Sequence, residues 1–226
     1  MRRTTGLTVL FAFNGGFVDT VGLLGLHGLF LAHVTGNLVT LAASLVLDQQ
    51  GVIAKALALP EFVATVALVR LAVHLLAPRP GRYLLSALQV GLLALLCLLA
   101  LTLSPFAKGD PPALLLTCGA GVAAMAMQNA LLGSYWPDLP PTTFMSGNTL
   151  RAVTDAVDLL FHPEPAKAAT MRQRLRHGLI GIAGFAAGCG TAALLLHLAG
   201  FWCLLLPVLV SGIALTAANR DVGGAG

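Results

Sequence analysis

Apolar residues run almost unbroken over positions 7–31, 57–77, 83–104, 113–133, 178–199 and 201–218. Most of these runs are near the roughly 20 residues that a helix needs to cross a bilayer. None shows the ten-residue alternating pattern of a barrel strand. The pattern therefore predicts six spanning helices. It is interrupted twice in the same manner, by HVTGNLVTLAASLV at 33–46 and by FMSGNTLRAVTDAV at 144–157, where a hydroxyl, a Gly and an Asn stand in apolar surroundings. Such residues suit the start of a helix better than its interior. Each stretch predicts a short helix that begins inside the membrane. Residues 38–47 are too few to cross, since even fourteen helical residues cover about 21 Å of a roughly 30 Å core.

The two interruptions are copies. Thr35, Gly36 and Asn37 recur as Ser146, Gly147 and Asn148 at an offset of 111, and Phe62 and His74 recur as Phe185 and His197 at an offset of 123. Ala100, Leu101 and Thr102 recur as Ala214, Leu215 and Thr216, and the extra twelve residues fall in the basic stretch between Phe161 and His177. The expected organisation is one membrane domain, 1–226, with halves at 7–104 and 113–218 hinged at PFAKGDPP. Each half holds a first helix, a short motif helix and two further helices. If the short helices cross, there are eight crossings and parallel halves; if they only dip in, there are six and the halves are inverted. Eight crossings would expose Arg79 and Arg82 together in the loop APRPGR, whereas six leave outside only Lys55 and Lys108, near Asp48 and Asp110. Counting Lys and Arg gives a tie between the two, and the separated, acid-flanked lysines of the six-crossing arrangement favour it. The fold expected is all-α, polytopic, with an inverted two-fold repeat.

Composition agrees with a bilayer as solvent. The chain is 57% hydrophobic with a mean hydropathy of +0.87, and its 10% of charged residues is far below the quarter typical of soluble domains. The net charge of +4 does not indicate nucleic acid, because Lys and Arg gather at segment ends and no binding motif accompanies them. Lys167, Arg172, Arg174 and Arg176 read as a cytoplasmic loop. The N-terminal MRRTTGLTVLFAF lacks a convincing cleavage site and leads into Asn14, Gly15, Gly16 and Asp19, so it reads as a retained first helix. Cys97, Cys118, Cys189 and Cys203 sit in apolar runs without CxxC spacing, which suits buried thiols and neither disulfides nor metal ligands.

The candidate chemistry is polar and non-catalytic. In TGN and SGN the Gly permits an unusual turn, while Thr35, Ser146 and the Asn side chains can cap free backbone N–H groups. Such a helix start directs partial positive charge at what precedes it, as broken helices do near transporter sites. Downstream, Asn37, Thr40 and Ser44 share one helical face, and Asn148, Arg151 and Asp155 share the equivalent face, extended by Asp158. Asp19 aligns with Asn129, beside Gln128, if one gap is allowed. An ionisable group a dozen residues into a membrane helix is a functional candidate. Asp19 could equally cap the TGN helix or pair with Arg70, and Arg70 could pair with Asp19 or Asp155. Thr142 and Thr143 follow a helix-breaking PP and could contact solute.

Other signals have plainer readings. His27 and His33 match no metal spacing and read as interfacial or capping groups, and His74 and His197 end their helices. Gly181, Gly184, Gly188 and Gly190 allow close helix packing. No nucleophile elbow, metal set or cofactor fingerprint is present, so neither an enzyme nor a cofactor is expected.

GGFVDTVGLLGLHGLFLAHVTGN and AMQNALLGSYWPDLPPTTFMSGN together resemble the YoaK-like family of bacterial multi-pass membrane proteins, domain of unknown function 1275. The family pattern commonly reads TGN in both places, so Ser146 is a departure that keeps the hydroxyl. The resemblance implies an inner-membrane protein of about six helices and no established substrate. Together these readings point to a transporter or channel for a small polar or ionic solute. The two motif helices would meet near the midplane, with both termini cytoplasmic. A membrane scaffold, its motifs serving only to cap and pack helices, is the alternative. No partner beyond lipid, solute or a second copy of the chain is expected.

Overall fold

A computed structural model describes residues 2–137, 139, 145–161 and 165–223. Its helices are α1 (Arg2–Gly25), α2 (Gly36–Leu47), α3 (Val52–Leu75), α4 (Pro78–Leu103), α5 (Pro112–Tyr135), α6 (Met145–Phe161), α7 (Pro165–Ala199) and α8 (Leu205–Gly223), with a 3-10 turn at Gly200–Leu204 between the last two. No strand occurs among the described residues. Among the described residues five helical stretches are long and apolar enough to cross a membrane; the longest, Lys167–Asn219, runs through most of α7 and α8. Apolar side chains such as Val39, Val46, Leu68, Leu75 and Leu209 face outward, while Asn14, Gln89 and Ser211 are fully buried. That inversion of the soluble pattern is what a lipid-facing bundle requires.

Contacts between named residues set the helix directions. α1 and α7 run parallel: Thr8 lies beside Gly181, Val9 and Ala12 beside Gly184, Phe13 and Phe17 beside Gly188, and Gly25 beside Leu196 and Phe201. α3 and α5 are also parallel, from Ala54 beside Asp110 through Glu61 beside Gly119 to Arg70 beside Ser134. α4 is antiparallel to α8, since Arg82 and Ser86 meet Asn219 while Gln89 meets Ser211. The two motif helices lie apart. α2 packs on α3 and α6 packs on α7, with no contact between α2 and α6.

Two apolar cores result. One joins Val21, Leu29, Leu31, Leu96, Cys97 and Leu204; the other joins Leu7, Phe11, Leu85, Leu131, Trp136 and Leu215. On each of α1, α4 and α8 a polar residue separates the two: Asn14 between Phe11 and Phe17, Gln89 between Leu85 and Leu93, and Ser211 between Leu204 and Ala214.

Two expected boundaries shift. α1 stops at Gly25 instead of reaching residue 31, because the chain turns at His27 and Gly28, both in the left-handed region, and runs back along α1. The basic residues Lys167, Arg172, Arg174 and Arg176 do not form a loop; they lie in the first turns of α7, which begins at Pro165. Lys and Arg favour helices as much as loops, so charge alone does not mark a helix end.

Candidate functional site

The first motif builds a closed corner. The segment after Gly25 descends beside α1 as far as Asp19, about 9 Å below the helix end. There the Asp19 carboxylate accepts from the Ala32 N–H at 2.5 Å and the His33 N–H at 3.2 Å, and its second oxygen bonds the His33 ring. The His33 ring meets Phe185 of α7 edge-on, centroids 5.2 Å apart. Asn37 clamps the same segment, its Oδ1 accepting from the Phe30 N–H at 2.8 Å and its Nδ2 donating to the Phe30 carbonyl at 2.7 Å. One side chain thus satisfies both polar groups of a backbone unit that no helix or sheet serves.

Several expected roles are corrected by this geometry. Thr35 makes no capping hydrogen bond and is already helical at φ −67°, ψ −27°. Gly36 adopts no left-handed turn; it leaves room for the Phe30 ring, which would stand 3.2 Å from an added Cβ. Asp19 pairs with His33 and not with Arg70, whose guanidinium donates to the Ser134 hydroxyl at 3.0 Å. The polar face of α2 does turn inward: Thr40 donates to the Asn37 carbonyl, Ser44 to the Thr40 carbonyl, and Lys55 to Ser44 and the Gln50 carbonyl.

The second motif is more open. A cleft of about 610 Å³ lies between α6 and α7, lined by Asn148, Arg151, Asp155, Asp158, Arg174 and His177 among others. Arg174 grips the buried Asp155 with two hydrogen bonds, of 2.7 Å and 3.2 Å, so Asp155 is taken by α7 and not by Arg70. Arg174 is 60% exposed. Asp155 is buried, however, so replacing Arg174 by Gln leaves a carboxylate without its cation and should lower stability by more than the ~1 kcal/mol of a fully exposed pair, read in a thermal melt. Ser146 and Gly147 lie in the first turn of α6, Gly147 with open space around it. Thr142 and Thr143 fall outside the described residues.

The two motifs are therefore not gathered into one chamber, since α2 and α6, which carry them, do not touch. What the bundle does gather is a set that motif reading passed over. At the meeting of α1, α5, α8 and α4, the Asn14 amide donates to Gln128 at 2.9 Å and to Ser211 at 3.3 Å, Ser211 donates to Gln89 at 3.1 Å, and Gln128 donates to the Phe11 carbonyl at 3.3 Å. Further along the seam Asn219 donates to Ser86 at 3.2 Å, and Arg82 donates to the Asn219 carbonyl at 3.4 Å. Each of these side chains is buried, yet Asn14 Oδ1, Gln89 Nε2, Asn219 Oδ1 and Arg82 Nε have no hydrogen-bond partner. Of this set only Gln128 had been singled out as a site residue, and neighbouring Asn129 lies half-buried on the same helix. The signal was present in the spacing: Arg82, Ser86 and Gln89 stand at i, i+4 and i+7, one face of α4.

A family model described as "Protein of unknown function (DUF1275)" matches residues 7–217. The chain belongs to this family. No curated protein and no solved structure matches it. Membership of DUF1275 thus brings no substrate, and the chemistry of this DUF1275 chain rests on its own residues. No group of three or more potential metal ligands occurs among the described residues.

Proposed function

We propose that this DUF1275 protein is a transporter or channel for a small polar or ionic solute, and that its path is the buried polar seam between α1, α4, α5 and α8. The observation that carries this reading is the set of unpartnered polar atoms on fully buried side chains at the centre of an apolar bundle. Burying such groups without partners costs about 1–3 kcal/mol each, and a bundle serving only as a scaffold gains nothing by it. The seam begins near the start of α4, at Arg82, and stops at Gln89, beyond which Leu93, Leu96, Cys97, Cys203 and Leu204 close it with apolar packing. A half-path with a dry plug suits a gated conduit.

Six crossings and inverted halves fit this reading. With α1 matched to α5, α3 to α7 and α4 to α8, the matched pair α4 and α8 runs antiparallel. That is the relation expected of a two-fold axis in the membrane plane. Halves at 7–104 and 113–218, a bacterial inner membrane and cytoplasmic termini complete the proposed arrangement. The scaffold alternative draws on the first motif, where Asp19 and Asn37 spend their hydrogen bonds on the chain itself.

Flux into liposomes separates the two. Asn14→Leu and Gln89→Leu should each reduce solute flux about tenfold or more while leaving helical content unchanged, because they replace the wet stations of the path with lipid-like ones. Equal flux in wild type and both variants would remove the seam from the mechanism.

A further inference from the structure

Four side chains of the acidic and basic types are buried among the described residues: Asp19, Lys55, Arg82 and Asp155. Asp19 is met by His33 and two backbone amides, Asp155 by Arg174, and Lys55 by Ser44 and Gln50. Arg82 stands apart. It is 3% exposed, no carboxylate reaches it among the described residues, and its contacts are one long hydrogen bond to the Asn219 carbonyl and the ring of Tyr83 at 5.6 Å. Its Nε has no partner. A guanidinium is a permanent cation, so its burial calls for a compensating group. Water can satisfy the amides of the seam but leaves the charge uncompensated.

The surroundings select what could compensate it. Ser86, Gln89 and Asn219 share the seam with Arg82, and the Tyr135 hydroxyl, which also lacks a partner, lies next to Gly81. Among the described side chains the groups around Arg82 are hydroxyls and amides, with no acid. Such a lining repels a metal cation and welcomes a small anion that accepts several hydrogen bonds. A single uncompensated positive charge matches a single negative one. We propose that Arg82, with the Ser86 and Tyr135 hydroxyls as further donors, forms a binding site for a small monovalent inorganic anion. On the transport reading, the solute is that anion; the binding site itself does not depend on transport.

Trp136 offers a direct readout, because its Nε1 donates to the Ala218 carbonyl, next to Asn219. The only other tryptophan, Trp202, is 63% exposed on the 3-10 turn and is removed by Trp202→Phe. In that background, purified full-length protein is titrated with iodide at constant ionic strength, the balance made up with a bulky organic anion. The expected result is saturable quenching of Trp136, competed by chloride or nitrate and weakened about tenfold or more by Arg82→Gln, with Arg82→Lys in between. Quenching that is linear in iodide and identical in Arg82→Gln overturns the site. So does a saturable response that emerges only in Asp221→Asn, since the chain's own carboxylate would then occupy the place of the ligand. Should Arg82→Gln lose its helical circular dichroism, Ser86→Ala and Tyr135→Phe carry the same test. Liposome flux then separates the two readings: saturable binding without flux keeps the site and removes transport, whereas flux of cations or neutral solutes without iodide binding keeps transport and removes the anion.

Discussion

Gly188→Ala is expected to be among the most damaging single substitutions in the bundle, with a loss of about 3 kcal/mol or more and a large fall in Tm in detergent. An added Cβ at Gly188 would stand 2.1 Å from the Phe13 carbonyl oxygen and 3.0 Å from the Phe17 nitrogen. Gly16, on the facing helix, is in the same position, 2.2 Å from the Phe185 carbonyl oxygen. The obstructing atoms are backbone on both sides, so no rotamer change relieves the clash and the helices must part. Because α1 and α7 touch along nearly all of α1, from Thr8 to Gly25, separation at Gly188 loosens the packing of both helices. In lipid, where close van der Waals contact does much of the work that water does elsewhere, that loss is not recovered by apolar burial. Gly190 is the internal control. Nothing lies within 4 Å of its added Cβ, and Ala there should be neutral or stabilise by up to about 1 kcal/mol through helix propensity. Equal melting temperatures for Gly188→Ala and Gly190→Ala would refute the argument.

The same pair shows how far sequence reading reaches. Gly181, Gly184, Gly188 and Gly190 form a stripe that any reader assigns to close packing, but the stripe does not say which of them meets backbone. Only the partner helix decides that. Apolar runs located α3, α4, α5 and α8 to within a few residues, because lipid imposes a length on every crossing. The helix ends were less legible. His27 with its positive φ, and the helical start of α7 under a basic run, are settled by tertiary contacts that no local pattern encodes.

The motif chemistry was legible in kind and misassigned in partner. Asn37 was expected at a helix cap and instead holds Phe30, seven residues earlier. Arg70 and Asp155 found partners on helices that could not be guessed without the fold. Asn14, Gln89 and Ser211 carried a weak signal, since one amide or hydroxyl per apolar helix is common; their meaning appears only when α1, α4 and α8 bring them to one level. Membrane helices make this problem acute, because long-range polar contacts decide the site while local hydropathy decides everything the eye can follow.

Asp19 gives the second large effect, and with it a way to tell a structural carboxylate from a solute site. Asp19→Ala should cost about 3–5 kcal/mol, since it leaves the Ala32 and His33 amides and the His33 ring unserved in a buried corner. The segment 26–35 should then lose its place beside α1, and hydrogen exchange at Ala32 and His33 should rise to the rate of an open loop. Asp19→Asn should be far milder. Its remaining carbonyl oxygen can still accept both backbone N–H groups, and its amide can donate to the His33 ring nitrogen. If Asp19 only pins the corner, Asp19→Asn keeps flux within about twofold of wild type while Asp19→Ala abolishes it. An Asp19→Asn protein as stable as wild type but devoid of flux would return the carboxylate to the conduction path and shift attention from the α4–α8 seam to the first motif.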